Sequence, residues 1–374
     1  MKKIFILTFA LFLVIGLTIN SSAQSNYQLP GMTAKAYSMG GAFTGVADDV
    51  GAVLFNPAGL TQSGIVGFQS NIGVSNIETS ELSNVIDFAN KISSDIDYEN
   101  TDKLAESFPD NISLNAQAFA GANLKSVALS ANMNSSFDSY KENGNNTLEN
   151  NNDISAIISY GAKLASPPGE IASLAYGFNI KMTQHNYNEY DFDGSDIMQI
   201  DAEGNSIDLD FGVLAKVTDI FKVGAQIENL YSSGYDLEGN KTLSSYDPAA
   251  GEWNEIETKS YNKTDAEIKR NLRVGASVEV PIVGTTVAAD LENITSLSQT
   301  EGTVYHLGLQ QNLILNLISV RAGTYGPFDD INGDNTMYTA GLGINLTKLH
   351  LDAAIGADKT VDNLSGMISG RFKF

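Results

Sequence analysis

Cysteine is absent from this chain, so in an oxidising compartment nothing staples it, and its size and its own contacts must supply stability. Basic residues are scarce as well. There are 22 against 44 acids, and the formal charge of −22 excludes nucleic acid as a partner, since phosphate binding needs an excess of Lys and Arg on one face. Long apolar runs are also missing past the first twenty residues, which excludes an ordinary transmembrane helix in the rest of the chain. Histidine is limited to His185, His306 and His350, with neither a G-x-S-x-G elbow nor an H-E-x-x-H pair, so the chain reads as a non-enzyme. No cofactor and no metal is expected. The stretch Asp329 to Asn335 alternates oxygen-bearing side chains, but its glycine is misplaced for a calcium loop and no Glu closes it, so it reads as an acidic hairpin turn.

What is present begins with a leader. Lys2 and Lys3 precede an apolar run from Ile4 to Ile19 and the small residues Ser21, Ser22 and Ala23, the pattern of an export signal over residues 1–23. The run is shorter than the roughly 20 residues a spanning helix needs. Two classes remain for the exported chain: a soluble β-protein, or an outer-membrane barrel whose strands are too weakly hydrophobic to register in a hydropathy window.

Beyond residue 63 the apolar residues fall on every second place. Ile207, Leu209, Phe211, Val213, Ala215 and Val217 share one face, and Asp208, Asp210, Gly212, Leu214 and Lys216 the other. The rhythm predicts 14 strands, near 64–76, 110–121, 124–139, 152–165, 170–190, 205–217, 220–233, 268–281, 284–296, 303–313, 317–326, 335–347, 349–359 and 365–374. Their connections alternate, long (77–109, 140–151, 191–204, 234–267) and then short, which is the loop asymmetry of a transmembrane barrel. The predicted fold is therefore all-β, a 14-stranded antiparallel transmembrane barrel over 64–374. An aromatic girdle is expected from Tyr140, Tyr187, Tyr190, Tyr231, Tyr235, Tyr305, Tyr325 and Tyr338 at the outer strand ends. The first long connection places Leu82, Val85, Ile86, Ala89 and Ile92 at helical spacing and predicts a helical outer loop, with a second short helix starting at Thr101.

A barrel of that width has a lumen that conducts unless something fills it. Residues 24–63 are the available filler, a small, glycine-rich segment expected to fold as a luminal plug or hatch, with Asn56 and Pro57 turning the chain into the first strand. Asp208, Asp210, Lys216, Glu228, Arg273, Glu279, Asp290, Glu292, Arg321, Asp352 and Arg371 are expected to line the lumen.

The stretch MGGAFTGVADDVGAVLFNPAGL, Met39 to Leu60, resembles the amino-terminal signature of the FadL superfamily of outer-membrane barrels. GVLAKVTDIFKVGAQIENL, RVGASVEV, YHLGLQ, SVRAGTYG and YTAGLGINL are more similar to its TraF-like branch (conjugal transfer protein TraF), with PorV-like proteins nearby. The closing SGRFKF resembles the carboxy-terminal signal, ending in Phe374, that barrel-insertion machinery reads. The resemblance implies a hatch in the lumen and passive uptake of a hydrophobic, fatty-acid-like small molecule past it. Asn56, Pro57 and Ala58 would contribute to pocket and gate, beside Phe43 and Phe55. The PorV-like relatives imply the other reading, a non-transporting scaffold for protein secretion or surface assembly, and the residues leave both open. In either case the setting is the outer membrane, with its lipid as a partner.

Overall fold

The computed structural model describes residues 32–81, 112–142, 144–165, 172–247, 249–250, 252–266, 268–294 and 302–374. The export signal, residues 24–31 of the amino-terminal segment and the helices expected over 82–92 and from Thr101 lie outside them. Period-two alternation is realised as sixteen strands: β1 (Val66–Glu78), β2 (Ile112–Leu124), β3 (Val127–Glu142), β4 (Asn145–Ala165), β5 (Ser173–Phe192), β6 (Asp196–Lys216), β7 (Phe221–Ser232), β8 (Tyr235–Asp247), β9 (Glu252–Ala266), β10 (Asn271–Val280), β11 (Thr285–Glu292), β12 (Val304–Leu313), β13 (Ile318–Pro327), β14 (Met337–Leu346), β15 (Leu349–Asp358) and β16 (Asn363–Lys373).

Fourteen of these close into one antiparallel barrel, because β1 pairs with β16, β5 pairs with β6, and β7 passes directly to β10. Closure leaves no sheet edge among the fourteen wall strands, the condition for a sheet to sit in lipid. The outward face carries Phe68, Ile158, Met182, Leu209, Leu342 and Ile368, all exposed. The inward face is polar. Phe374, also exposed, closes the ladder by donating its N–H to Val66 O at 2.8 Å.

The remaining two strands correct the expected loops. Residues 140–151, 191–204 and 234–267 are largely strand. β4 and β6 run for 21 residues and β5 for 20, where about 9–11 suffice to cross a bilayer. Outward apolar residues stop at Met182 on β5 and Ile207 on β6, and Gln184, Asn205, Glu203 and Asp201 follow. The lower half of β6 pairs with β7 from Asp208 to Lys216, while its upper half pairs with β8 from Asp196 to Glu203, so the β8–β9 hairpin is carried on the barrel wall beyond the apolar belt. Water outside the bilayer leaves these ladders no apolar face to display, and the alternation used to find strands fades there.

The tyrosine girdle is also corrected. Tyr231 and Tyr338 are exposed on the outside, but Tyr187 and Tyr325 are buried on the inward face and Tyr305 is buried where Thr336 of the following connection meets its hydroxyl. Of the eleven charges expected in the lumen, Asp208, Asp210, Arg273, Asp290, Glu292, Arg321, Asp352 and Arg371 are buried there, whereas Lys216, Glu228 and Glu279 sit nearer solvent.

Candidate functional site in the barrel lumen

Residues 32–63 occupy the space the inward side chains surround, and every residue of that segment is buried except Asp48, Leu54, Thr61 and Gln62, which are half-buried. Its local structure follows from short polar caps. Thr33 caps α1 (Ala34–Ser38) by accepting from Ala36 N, and Gly40 and Gly41 then turn the chain at φ 62° and 80°, values that favour glycine. After α2 (Ala52–Phe55), Asn56 adopts an extended backbone and its Oδ1 accepts from Ala58 N at 3.2 Å, starting the 3-10 turn Pro57–Gln62 with proline in its first position.

Inward side chains from around the barrel hold this segment by its backbone. Asn71 of β1 accepts from Ala34 N at 3.0 Å and donates to Met32 O, and Gln69 accepts from Gly51 N. Asp290 Oδ2 of β11 accepts from both Phe43 N, 2.9 Å, and Thr44 N, 2.7 Å. Asn179 of β5 donates to Val53 O, Ser277 of β10 to Gly45 O, and Thr339 of β14 accepts from Gly40 N. A buried backbone group left unpaired costs about as much as a lost hydrogen bond, so these bonds set the position of the segment as well as its stability.

Glycines on the wall make the close approach possible. A Cβ at Gly161, Gly177, Gly212 or Gly224 would come closer than 3.0 Å to Pro57, Ala58, Asn56 and Thr44 respectively, and one at Gly308, Gly323, Gly341 or Gly356 would strike Met39, Gly40, Ser38 and Tyr37. Gly161 pairs with Gly177, Gly177 with Gly212, Gly224 with Gly275 and Gly308 with Gly323, so the inward face carries a band of Cβ-free positions against which the segment lies. This band was missed by the reading of motifs. The signal was available, because a glycine inside a strand marks close approach by another backbone.

The charges pair. Arg371 meets Asp49 at 2.7 Å, Arg321 meets Asp352 at 2.7 Å, Lys35 meets Asp48 at 2.6 Å, and Lys181 bridges Asp210 and Glu228. Glu292 accepts from Arg273 and faces His306 at 2.9 Å, while the other nitrogen of His306 faces Gly40 O at 2.7 Å. Arg371–Asp49 and His306–Gly40 therefore link the wall to the amino-terminal segment.

Asn56, Pro57, Ala58, Phe43 and Phe55 come together. Phe43 and Phe55 meet edge to face at 5.2 Å, and Arg273 lies over the Phe55 ring at 5.1 Å. Asn56 Nδ2 donates to Thr44 O at 3.2 Å and to Val213 O of β6 at 2.9 Å. With Oδ1 on Ala58 N as well, every polar group of that side chain is in use, and all five residues are buried. They hold the segment against the wall between β4 and β7.

Open space among the described residues lies away from these five, at the end of the barrel with the longer connections. A cavity of about 130 Å³ is floored by Tyr37 of α1, Tyr325, Met337 and Met367. Gln117 and Ser365 stand in its wall, and Asp334 and Asp358 also line it.

His185 has two polar neighbours: Asp153 lies 2.7 Å from Nδ1 and Ser206 Oγ 3.1 Å from Nε2. The Ser206 hydroxyl donates to Asp208 at 2.8 Å, so it meets the imidazole as an acceptor rather than as a nucleophile giving up its proton. His185 stacks on Tyr235 at 3.8 Å and thereby joins β5 to the base of the hairpin.

No family model and no curated protein matches the sequence. Among solved structures, the chain is similar to the toluene transporter TodX of Pseudomonas putida (TM-score 0.56, 14% identity, 93% of this chain and 98% of that one). It is similar to the toluene transporter TbuX of Ralstonia pickettii (0.57, 12%, 93% and 100%) and to a FadL homologue of Pseudomonas aeruginosa (0.56, 11%, 94% and 100%). The fold is that of the FadL-type outer-membrane barrels. Identities this low carry the fold and leave the branch open.

Proposed function

We propose that this FadL-type barrel is a passive route for small hydrophobic compounds across the outer membrane, with the amino-terminal segment as its hatch. The observation that carries the reading is the way the segment is held: by separate hydrogen bonds and charge pairs against a glycine-lined wall, beside a cavity at the outer mouth. Polar fastenings can be exchanged for water one at a time, and they act beside two apolar clusters that also join the segment to the wall, one around Phe43 with Ala288, Tyr325 and Met367 and one around Val50 with Phe119 and Ala128. The transporters of similar fold carry toluene, which supports a hydrophobic cargo here; a fatty acid is the other candidate. The test is flux of labelled toluene and oleate into proteoliposomes, against liposomes holding a barrel with the hatch cross-linked to β11 through engineered cysteines at Thr44 and Asp290. Equal entry with and without the cross-link refutes the hatch.

A second reading, the secretion or surface-assembly scaffold, is favoured by one feature. The sheet of β4, β5, β6, β8 and β9 rises beyond the apolar belt and presents strand surface that a protein partner could use. A TraF-like or PorV-like affiliation fits that reading. Removal of the hairpin that abolishes partner recovery while leaving flux intact would favour the scaffold.

A further inference from the structure

We propose that the outer-mouth cavity selects neutral, hydroxyl-bearing single-ring compounds, the phenol class, over hydrocarbons and over carboxylates; this rests on the uptake reading above. Three observations lead there. The first is size: about 130 Å³ is close to the roughly 150 Å³ of an engineered cavity that takes up benzene, so the space matches one ring, and most of an acyl chain would lie outside it.

The second is the lining. Tyr37, Tyr325, Met337 and Met367 offer ring faces and polarizable thioethers to an aromatic guest. A bare hydrocarbon, however, would leave a polar group short of a partner. Tyr37 is almost wholly buried, so it contributes apolar floor and its hydroxyl, beside Ser365 and Tyr325, is closed off from the cavity. The Gln117 amide accepts from Met32 N and, among the described residues, donates only to the Met367 thioether, at 3.6 Å. A guest hydroxyl that accepts from the half-buried Gln117 amide makes the bond that a hydrocarbon leaves unmade, and an unmade buried hydrogen bond is where such sites discriminate most.

The third is charge. The described lining holds no Lys, Arg or His, while Asp334 and Asp358 both contribute to it. Asp358 is fully engaged with Asp362 N, Asn363 N and Asn363 Nδ2, and Lys359 reaches Asp334 from outside at 3.6 Å. An anionic guest finds no counter-charge and two like charges.

Equilibrium dialysis of labelled phenol, toluene, benzoate and oleate against the purified barrel in micelles, with protein-free micelles as blank, tests this. Phenol is expected to bind saturably, one per barrel, at least tenfold more tightly than toluene or benzoate. Gln117→Glu, which keeps the acceptor for Met32 N and removes the amide donor, should weaken phenol at least fivefold and leave toluene unchanged, and Met367→Trp, which fills the space, should abolish phenol binding while heat-modifiable mobility on gels persists. Toluene or benzoate bound as tightly as phenol overturns the inference, as does phenol binding indifferent to both substitutions. Oleate binding and flux without phenol binding overturns the inference alone; absence of flux for every compound overturns the uptake reading with it.

Discussion

Replacing Asn56 by alanine should unseat the amino-terminal segment without unfolding the barrel. The side chain makes three bonds: Nδ2 to Val213 O at 2.9 Å, Nδ2 to Thr44 O at 3.2 Å, and Oδ1 from Ala58 N at 3.2 Å. Each buried bond is worth about 1 kcal/mol net, and loss of a capping side chain costs a similar amount, about 1 kcal/mol. The substitution therefore costs about 3 kcal/mol, which moves a two-state equilibrium between seated and unseated segment by a factor of about 150. None of the lost bonds belongs to the strand ladders, so barrel melting should hardly move. Amide exchange followed by mass spectrometry should accelerate across residues 44–58 but not across β12 to β16, and conductance steps should become frequent in planar bilayers. Ser277→Ala, which removes only the bond to Gly45 O, is the internal standard with about one third of the effect in free energy. Unchanged exchange together with silent bilayers for Asn56→Ala would refute the idea that discrete polar bonds hold the segment.

Gly323→Val places a side chain where Gly40 and Met39 lie and should cost about 1–3 kcal/mol of overpacking, read as loss of exchange protection in residues 38–42; Gly366→Val, with nothing near its Cβ, should leave protection unchanged. Deletion of residues 235–266 should preserve the folded, heat-modifiable barrel, because β6 keeps β7 along Asp208 to Lys216; loss of that band would mean the hairpin is part of closure. In the β5–β6 turn, backbone N–H donation from Ser195 and Asp196 holds the Asp193 carboxyl below its ordinary value. A depressed carboxylate stabilises the turn above the unfolded value, about 3.9, and loses that stabilisation as pH falls through the folded one. Amide exchange at Ser195 and Asp196, corrected for intrinsic rates, should thus lose protection only on acidification below about pH 4, and Asp193→Ala should remove the pH dependence.

Strand interiors within the bilayer were legible because lipid imposes a local rule. Every second residue of β6 from Ile207 to Ala215 must be apolar, and a pattern of period two survives any later arrangement of the chain. The same rule explains the misreadings. From Asn145 to Asp153 and from Asp196 to Asn205 no lipid faces the strand, so polar residues sit in regular ladders that look like loops. Tyr187 and Tyr325 favour strands wherever they point, and residue type alone did not reveal that they point inward.

Alternation and the Asn-Pro-Ala-Gly turn thus determined, from the sequence by itself, a barrel of fourteen crossing strands and a compact segment ahead of it. Tertiary structure alone decided which inward charge meets which partner, since Arg371 reaches Asp49 across 322 residues and His306 reaches Gly40 across 266. Those pairings depend on the stagger of closure and on the path of a chain with no periodicity of its own. They also decided that Asn56 is a fastening with no polar atom to spare, and that the open cavity lies instead beneath the outer mouth, over Tyr37.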